Sequence, residues 1–473
     1  MEERPNILWI CSDQQRFDTL GAMGNPHIRT PNLDALAREG ALCAQMFANS
    51  PICTPSRASF LTGRYPRTTR CRQNGQQIPA DEILITRILA EAGYDCGLSG
   101  KLHLSPAMGR VEKRIDDGYR VFHWSHHSGP RGTATNEYQD WLRQQGIDWD
   151  EWVKPQGRPA YPSVPARFHQ TAWCCEKAIE FLSQKRAGPW LFSVNMFDPH
   201  HPFDPPPEYL ERCNPDEMPL PRYVEGELDA KPRYQMEDHR AGAYGGIGLA
   251  YAKLNDRQRR EITAAYYAMI ELIDDWTGRM LEALDQTGQR ENTIVIFTSD
   301  HGEMLGDNGL YLKGPHLYDC AVRVPFVISW PRRLRKGVRS EALIELVDLA
   351  PTLLDCLGME IPRRMQGRSF LPILTGQADP GHHRDFVLAE YYNAVHPRRR
   401  KAWATMWRDR RHKINVFHGE ELGELYDLEA DPGEHANLWD EPRAAALKAG
   451  LLKKCLDASV FTMDPDPPRE TEY

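Results

Sequence analysis

Apolar and polar positions fall in blocks along the chain that predict strands and helices in turn. Residues 6–11 form a short continuous apolar run, the pattern of a parallel strand covered on both faces. Residues 31–40 begin with a proline, carry apolar side chains at helical spacing and end in Gly40, which predicts a helix with a glycine stop. The same periods give helices over 83–93 and 171–184, strands over 94–99 and 190–197, and a long amphipathic helix over 257–287. A β-branched strand over 292–298, a strand over 324–330 and a helix over 347–357 follow. Strands alternating with helices up to about residue 360 imply an α/β fold: a mostly parallel central sheet with helices on both faces and right-handed crossovers.

Two stretches, 110–168 and 205–254, break this rhythm. They are rich in Pro and Gly with weak periodicity and are expected to be long loops and short helices over the site. Beyond Gly358 the texture changes to short alternating stretches at 401–407 and 413–417 and a final helix, the pattern of a small antiparallel sheet with one helix. The chain is therefore expected to divide into an α/β domain over 1–360 and a smaller α+β subdomain over 361–473.

Composition narrows the classes of function. With 41% hydrophobic and 26% charged residues the chain reads as soluble and globular, and a net charge of −8 argues against general nucleic-acid binding. No apolar run approaches the roughly 18 residues of a membrane span. The first residues lack the basic-then-apolar pattern of a signal peptide, so a cytoplasmic location is expected. The 11 cysteines have no regular spacing, and most are expected to be reduced packing residues.

Chemistry concentrates at the carboxyl ends of the expected strands. In Pro51-Ile52-Cys53-Thr54-Pro55-Ser56-Arg57, Cys53 stands in a Pro-bracketed turn that opens a helix, where free N–H groups favour anions, and Arg57 adds a forked cation one turn on. A lone Cys-Pro turn is more often a buried cysteine capping an ordinary helix. Other strand ends, however, deliver Asp13-Gln14, Lys101 with His103, His200 with His201, and Asp300-His301 followed by Lys313. Gathered at one sheet edge, two acids, an amide and an imidazole can hold one divalent cation while the remaining cations surround an anion. Trp124, His126, His127, Trp407 and Arg400 are further candidates to line a pocket, and the run Arg398-Arg399-Arg400-Lys401 reads as a solvated charge cluster.

On these residues the chain resembles the sulfatase family of the alkaline-phosphatase-like superfamily over nearly its whole length. Cys53-Thr54-Pro55-Ser56-Arg57 with Leu61-Thr62-Gly63-Arg64 matches the signature in which the cysteine is converted to formylglycine, and the blocks around Asp13, Lys101, Asp300 and Glu424 fall where that family has its own. The resemblance implies a sulfatase that cleaves a small-molecule or saccharide sulfate ester by way of hydrated formylglycine and one divalent metal, with Asp13, Gln14, Cys53, Asp300 and His301 at the metal. It further implies His103 as the base, Lys101 and Arg57 holding the hydrate, and His200 and Lys313 binding sulfate and assisting the leaving group. A formylglycine-generating enzyme is the implied maturation partner, and a homo-oligomer is allowed. Calcium is the family's usual metal, but Gln14 and His301 stand where many members have Asp and Asn, which brings in manganese. The same pair, with Asn74 as a substrate contact, is similar to phosphonate monoester hydrolases, so phosphonate or phosphodiester hydrolysis is the alternative. Lys101 and His103, which that group lacks, favour the sulfatase. A non-catalytic binder of sulfated ligands that keeps the Cys53 thiol is the third reading.

Overall fold

The structure, a computed structural model, describes residues 4–129, 136–395 and 401–467. Its centre is strand β1 (Asn6–Ser12), hydrogen-bonded in parallel to its neighbours on both sides. Alternate side chains of β1 enter two different cores. Leu8 and Ile10 pack with helices α1 (Pro31–Glu39), α4 (Gln170–Leu182) and α5 (Asp256–Gln286), whereas Ile7, Trp9 and Cys11 pack with α2 (Cys53–Thr62), α3 (Ile85–Glu91) and α6 (Leu349–Cys356). That split is why the strand reads as uniformly apolar: a strand covered on both faces has no polar side to show.

The remaining strands of the main sheet are β2 (Ala41–Cys43), β3 (Asp95–Gly100), β4 (Val121–Trp124), β5 (Trp190–Asn195), β6 (Thr293–Ser299), β7 (Phe326–Ser329) and β8 (Val338–Ser340). Their spatial order is β8-β2-β7-β6-β1-β5-β3-β4. Only β7 runs against both of its neighbours. Helix α5 starts with a reciprocal capping box between Asn255 and Gln258, which satisfies N–H groups that would otherwise be orphaned. Among the described residues no helix is long and apolar enough to cross a membrane.

Two expectations need correction here. The strand expected over 324–330 is divided: Arg323–Val324 pairs with Met46–Phe47 in a small three-stranded sheet, and β7 begins only after Pro325, which has no N–H to offer a ladder. The stretch 110–168 is not all loop, because β4 adds an edge strand beside β3. With four residues, three of them only partly buried, it carries no period to read.

A separate antiparallel sheet follows, made of β9 (Val387–Tyr392), β10 (Trp403–Arg408), β11 (His412–Phe417) and β12 (Glu424–Asp427). Helix α7 (Ala445–Phe461) packs Leu451, Cys455 and Ala458 on one face, against Trp407 and Ile414. The other face brings Val387, Ala389 and Met406 against Phe47 and Ile52, so this sheet abuts the residue immediately before Cys53. Trp407, a candidate pocket residue, is thereby a core side chain, and Arg398–Arg400 lie outside the described residues.

Candidate active site

The carboxyl ends of β1, β6, β3 and β5 meet the amino end of α2. All ten residues of α2 are buried, and the helix ends in a left-handed Gly63 whose N–H returns to the Ser59 carbonyl. At its start the Thr54 N–H donates to Asn74 Oδ1 at 3.1 Å. Asn74 therefore caps the turn that carries Cys53, which places it one residue from the thiol.

Asp13 follows β1 and Asp300 follows β6, and their registers are locked together. The Gln14 N–H donates to Asp300 Oδ1 at 3.0 Å, and the Gln15 N–H donates to Ser299 Oγ at 2.8 Å. Arg57 braces both acids: Nε donates to Asp300 Oδ2 at 2.8 Å, Nη2 lies 3.4 Å from Asp13 Oδ2, and Nη1 donates to the Lys101 carbonyl at 2.8 Å. Lys101 in turn forms an ion pair with Asp13. Its backbone needs Gly100, because a Cβ there would sit 1.9 Å from the Asn195 carbonyl, which accepts the Lys101 N–H.

Cys53 Sγ lies 3.1 Å from His301 Nε2 and 3.7 Å from Asp13 Oδ1, and it accepts from Lys313 Nζ at 2.9 Å. Burial and Asp13 push the thiol up, but Lys101, Lys313 and His301 prevail and bring it down to about 7. At Asp13, burial opposes the charge and Lys101, Lys313 and Arg57 overcome it, so its carboxyl is held well below the usual range.

These residues fit a divalent cation. His301 Nδ1 lies 2.9 Å from the Gly302 carbonyl, a contact only an Nδ1–H can make, so Nε2 is the ring nitrogen turned towards Cys53 and the two carboxylates. Gln14, in a left-handed backbone conformation, donates its amide NH₂ to Glu303 and leaves Oε1 fully buried with no partner. An orphaned buried oxygen of that kind costs about 1–3 kcal/mol unless something positive occupies the space it faces. Ligand atoms of Asp13, Cys53, Asp300 and His301 all lie within 4.8 Å of one another.

His103 departs from the geometry expected of it. The spacing from Lys101 suggests an extended segment, yet His103 is left-handed at φ 60°. The cause is Glu112, whose buried carboxylate accepts the N–H groups of His103 (2.9 Å), Leu104 and Ser105 (3.2 Å) together with Trp124 Nε1 (3.1 Å), wrapping the chain around itself. The His103 ring stands edge-on to His126 at 4.5 Å, with Nδ1 buried and unpartnered. Burial, then Lys101 and His126, keep it neutral. Across the site, His200 is stacked on His201 at 4.1 Å and donates Nδ1–H to the His201 carbonyl. Burial, then Lys313, hold it neutral as well. His127 packs on Phe197, between these two sides.

Sequence reasoning missed three residues. Glu112 has no local signal, Glu303 follows Asp300-His301 with no role that its position announces, and Tyr244 sits in the irregular stretch between Gly242 and Gly245. The Tyr244 ring is 6.0 Å from that of His201. The glycines at 242, 245 and 246 are the only sequence-level clue to that turn, in which the structure holds Tyr244 left-handed at φ 60°.

Comparison with known proteins agrees with this geometry. The sulfatase family model matches residues 5–359, and the model for the C-terminal region of N-sulphoglucosamine sulphohydrolase matches 306–460. The chain is 30% identical to the multifunctional alkaline phosphatase superfamily protein PehA of Trinickia caryophylli, over 96% of this chain and 95% of that one. It is also 30% identical to an arylsulfatase of Clostridium perfringens, over 92% and 90% of the two chains. Among solved structures, a phosphonate monoester hydrolase of Agrobacterium radiobacter superposes with a TM-score of 0.85 at 28% identity, covering 99% of this chain and 98% of that one.

Proposed function

Because the chain belongs to the sulfatase family, we propose that it hydrolyses an organic sulfate ester, from a small molecule or a saccharide, to the alcohol and inorganic sulfate. Cys53 is the precursor of the nucleophile, and its sulfur stands where the oxygens of hydrated formylglycine would be. The observation that carries this reading is the set of cations around that atom: Lys313 at 2.9 Å from the sulfur, and Lys101 and Arg57 on the acids beside it. Asp13, Gln14, Asp300 and His301 would hold a divalent ion, calcium or, given the imidazole, manganese. The ion and the formylglycine hydrate together supply an activated hydroxyl able to attack sulfur and an aldehyde able to re-form.

The remaining work falls to side chains of this protein. Lys313 and His200 bind the sulfate oxygens and offset the charge that builds as the S–O bond to the alcohol breaks. In the neutral ring of His200 the Nδ1–H is committed to a carbonyl, so Nε2 is bare. An anionic substrate offsets the field of Lys313, the ring takes up a proton from solvent and passes it to the departing alcohol oxygen, and the attacking hydroxyl gives its own proton back to solvent. His103, kept neutral, accepts the proton of the remaining hydroxyl as sulfate is released, and one water restores the hydrate. Cys53 is only 1% exposed, so its conversion belongs to a stage before folding is complete, when a formylglycine-generating enzyme can reach it.

A second reading is hydrolysis of phosphonate monoesters or phosphodiesters by the same machinery. The likeness to the phosphonate monoester hydrolase favours it, whereas Lys101 and His103 favour the sulfate ester. Turnover of a nitrophenyl sulfate and a nitrophenyl phosphonate ester, side by side on enzyme whose Cys53 conversion is verified by peptide mass, separates them. A strong preference for the phosphonate overturns the sulfatase assignment.

A further inference from the structure

As translated, residue 53 is a thiol, and a thiol makes a different metal site from an oxygen donor. Sγ is 3.1 Å from His301 Nε2 and 3.7 Å from Asp13 Oδ1. His301 Nε2 is 3.8 Å from Asp13 Oδ1 and 3.8 Å from Asp300 Oδ1. A tetrahedron with Zn–S near 2.3 Å and Zn–N and Zn–O near 2.0–2.1 Å has edges of roughly 3.3–3.6 Å. Four of the six donor pairs thus stand within about 0.5 Å of those edges, and the ligand atoms all lie within 4.8 Å of one another. All four donor residues are buried, and His301 turns Nε2, the ligating ring nitrogen, towards the other three. The Lys313 ammonium touches two of the same donors, at 2.9 and 3.2 Å, which marks the centre as a place that accepts positive charge.

We propose that the translated, Cys53-bearing form of this protein is a Cys–His–Asp–Asp site for zinc and other thiophilic divalent ions, and that conversion of residue 53 to an oxygen donor shifts the same site towards hard ions. The physical reason is donor softness. Thiolate with imidazole selects zinc, whereas carboxylates, an amide oxygen and a hydroxyl suit calcium or manganese. Binding releases the thiol proton to solvent and forms one S–metal bond, with no change of oxidation state. Zinc on the unconverted chain would also shield the sulfur from reagents. The inference stands on the donor geometry alone and holds whichever ester the matured protein cleaves.

The test uses the full chain purified from a host that does not convert Cys53, with the free thiol verified by peptide mass and the protein stripped of metal. Titration with Co²⁺ is expected to give one equivalent of uptake with a near-ultraviolet sulfur-to-cobalt charge-transfer band and the visible bands of a tetrahedral ion, both displaced by Zn²⁺. In Cys53→Ser, with fold verified by circular dichroism, the charge-transfer band is expected to vanish while Mn²⁺ binding remains. In a second measurement that needs no variant, Zn²⁺ is expected to slow alkylation of Cys53 by about tenfold or more, and Ca²⁺ to leave it unchanged. Absence of the band at saturating Co²⁺, its persistence in Cys53→Ser, or alkylation of Cys53 indifferent to Zn²⁺ would each overturn the proposal.

Discussion

Replacing Glu112 by glutamine tests whether a buried carboxylate sets the position of the proposed base. Oε2 accepts from the His103 N–H and Trp124 Nε1, and Oε1 accepts from the N–H groups of Leu104 and Ser105. In Glu112→Gln one oxygen keeps its two donors, while the other becomes an NH₂ pointed at two N–H groups that lose their acceptor. Each buried donor left unpaired costs about 1–3 kcal/mol, and part of that is returned because burial already pushes the Glu112 carboxyl up, so the net loss is about 2–4 kcal/mol. At about 2.1 cal/mol/K per residue, 473 residues give an unfolding entropy near 1 kcal/mol/K, so the thermal midpoint is expected to fall by only about 2–4 °C. The kinetic effect is expected to be larger. Once the carboxylate no longer gathers three consecutive N–H groups, His103 relaxes from its left-handed conformation, and misplacement by about 1 Å costs on the order of 10² in kcat. The assay is kcat and KM on a nitrophenyl sulfate, alongside thermal unfolding. A variant that loses the stability but keeps kcat within about a factor of two would refute the reasoning.

Other substitutions probe separate parts of the molecule. Cys53→Ala is expected to lower turnover by at least about 10⁴ with an unchanged circular dichroism spectrum, and near-native rates would remove Cys53 from the mechanism. Asp274, which accepts from the Asn32 and Leu33 N–H groups at the start of α1, is pushed up by burial to about 6. The folded state therefore holds that proton more tightly than the unfolded chain, and this group's contribution to stability falls as pH rises from about 4 to about 6, by at most about 3 kcal/mol. Urea unfolding across that range should show the slope, and Asp274→Asn should flatten it. Arg384 is the cation between the buried carboxylates of Glu345 and Asp348, with the Tyr65 hydroxyl on Glu345 at 2.7 Å. Arg384→Met removes the cation shared by those acids, leaving Asp348 only His383 at 3.4 Å, and is expected to cost about 3–5 kcal/mol in urea unfolding, and a near-neutral result would show that they protonate without penalty.

The two-sided sheet was legible because its central strands are buried on both faces and its helices on one, so continuous apolar runs and a period of 3.6 remain visible in the residues themselves. The chemistry was legible because Asp13-Gln14, Lys101 and Asp300-His301 directly follow apolar runs, and a strand end is where an α/β sheet exposes side chains. Elements defined by partners rather than by period were not legible. Strand β4 is four residues on an edge, β7 owes its antiparallel direction to its neighbours, and Trp407 is packed under a helix that begins only at Ala445. The backbone of His103 depends on a glutamate nine residues away that no motif announces.

The sequence alone determined which donors exist and which strand or helix carries each of them. The tertiary structure decided what those donors do together. Asp13, Cys53, Asp300 and His301 come within 4.8 Å because β1 and β6 are adjacent and α2 begins beside their ends. That adjacency comes from strand pairing across hundreds of residues, which local periodicity does not specify. The Nε2 that His301 turns inward and the partnerless oxygen of Gln14 follow from the same packing. Each is fixed by a neighbour that the chain brings close only when it folds.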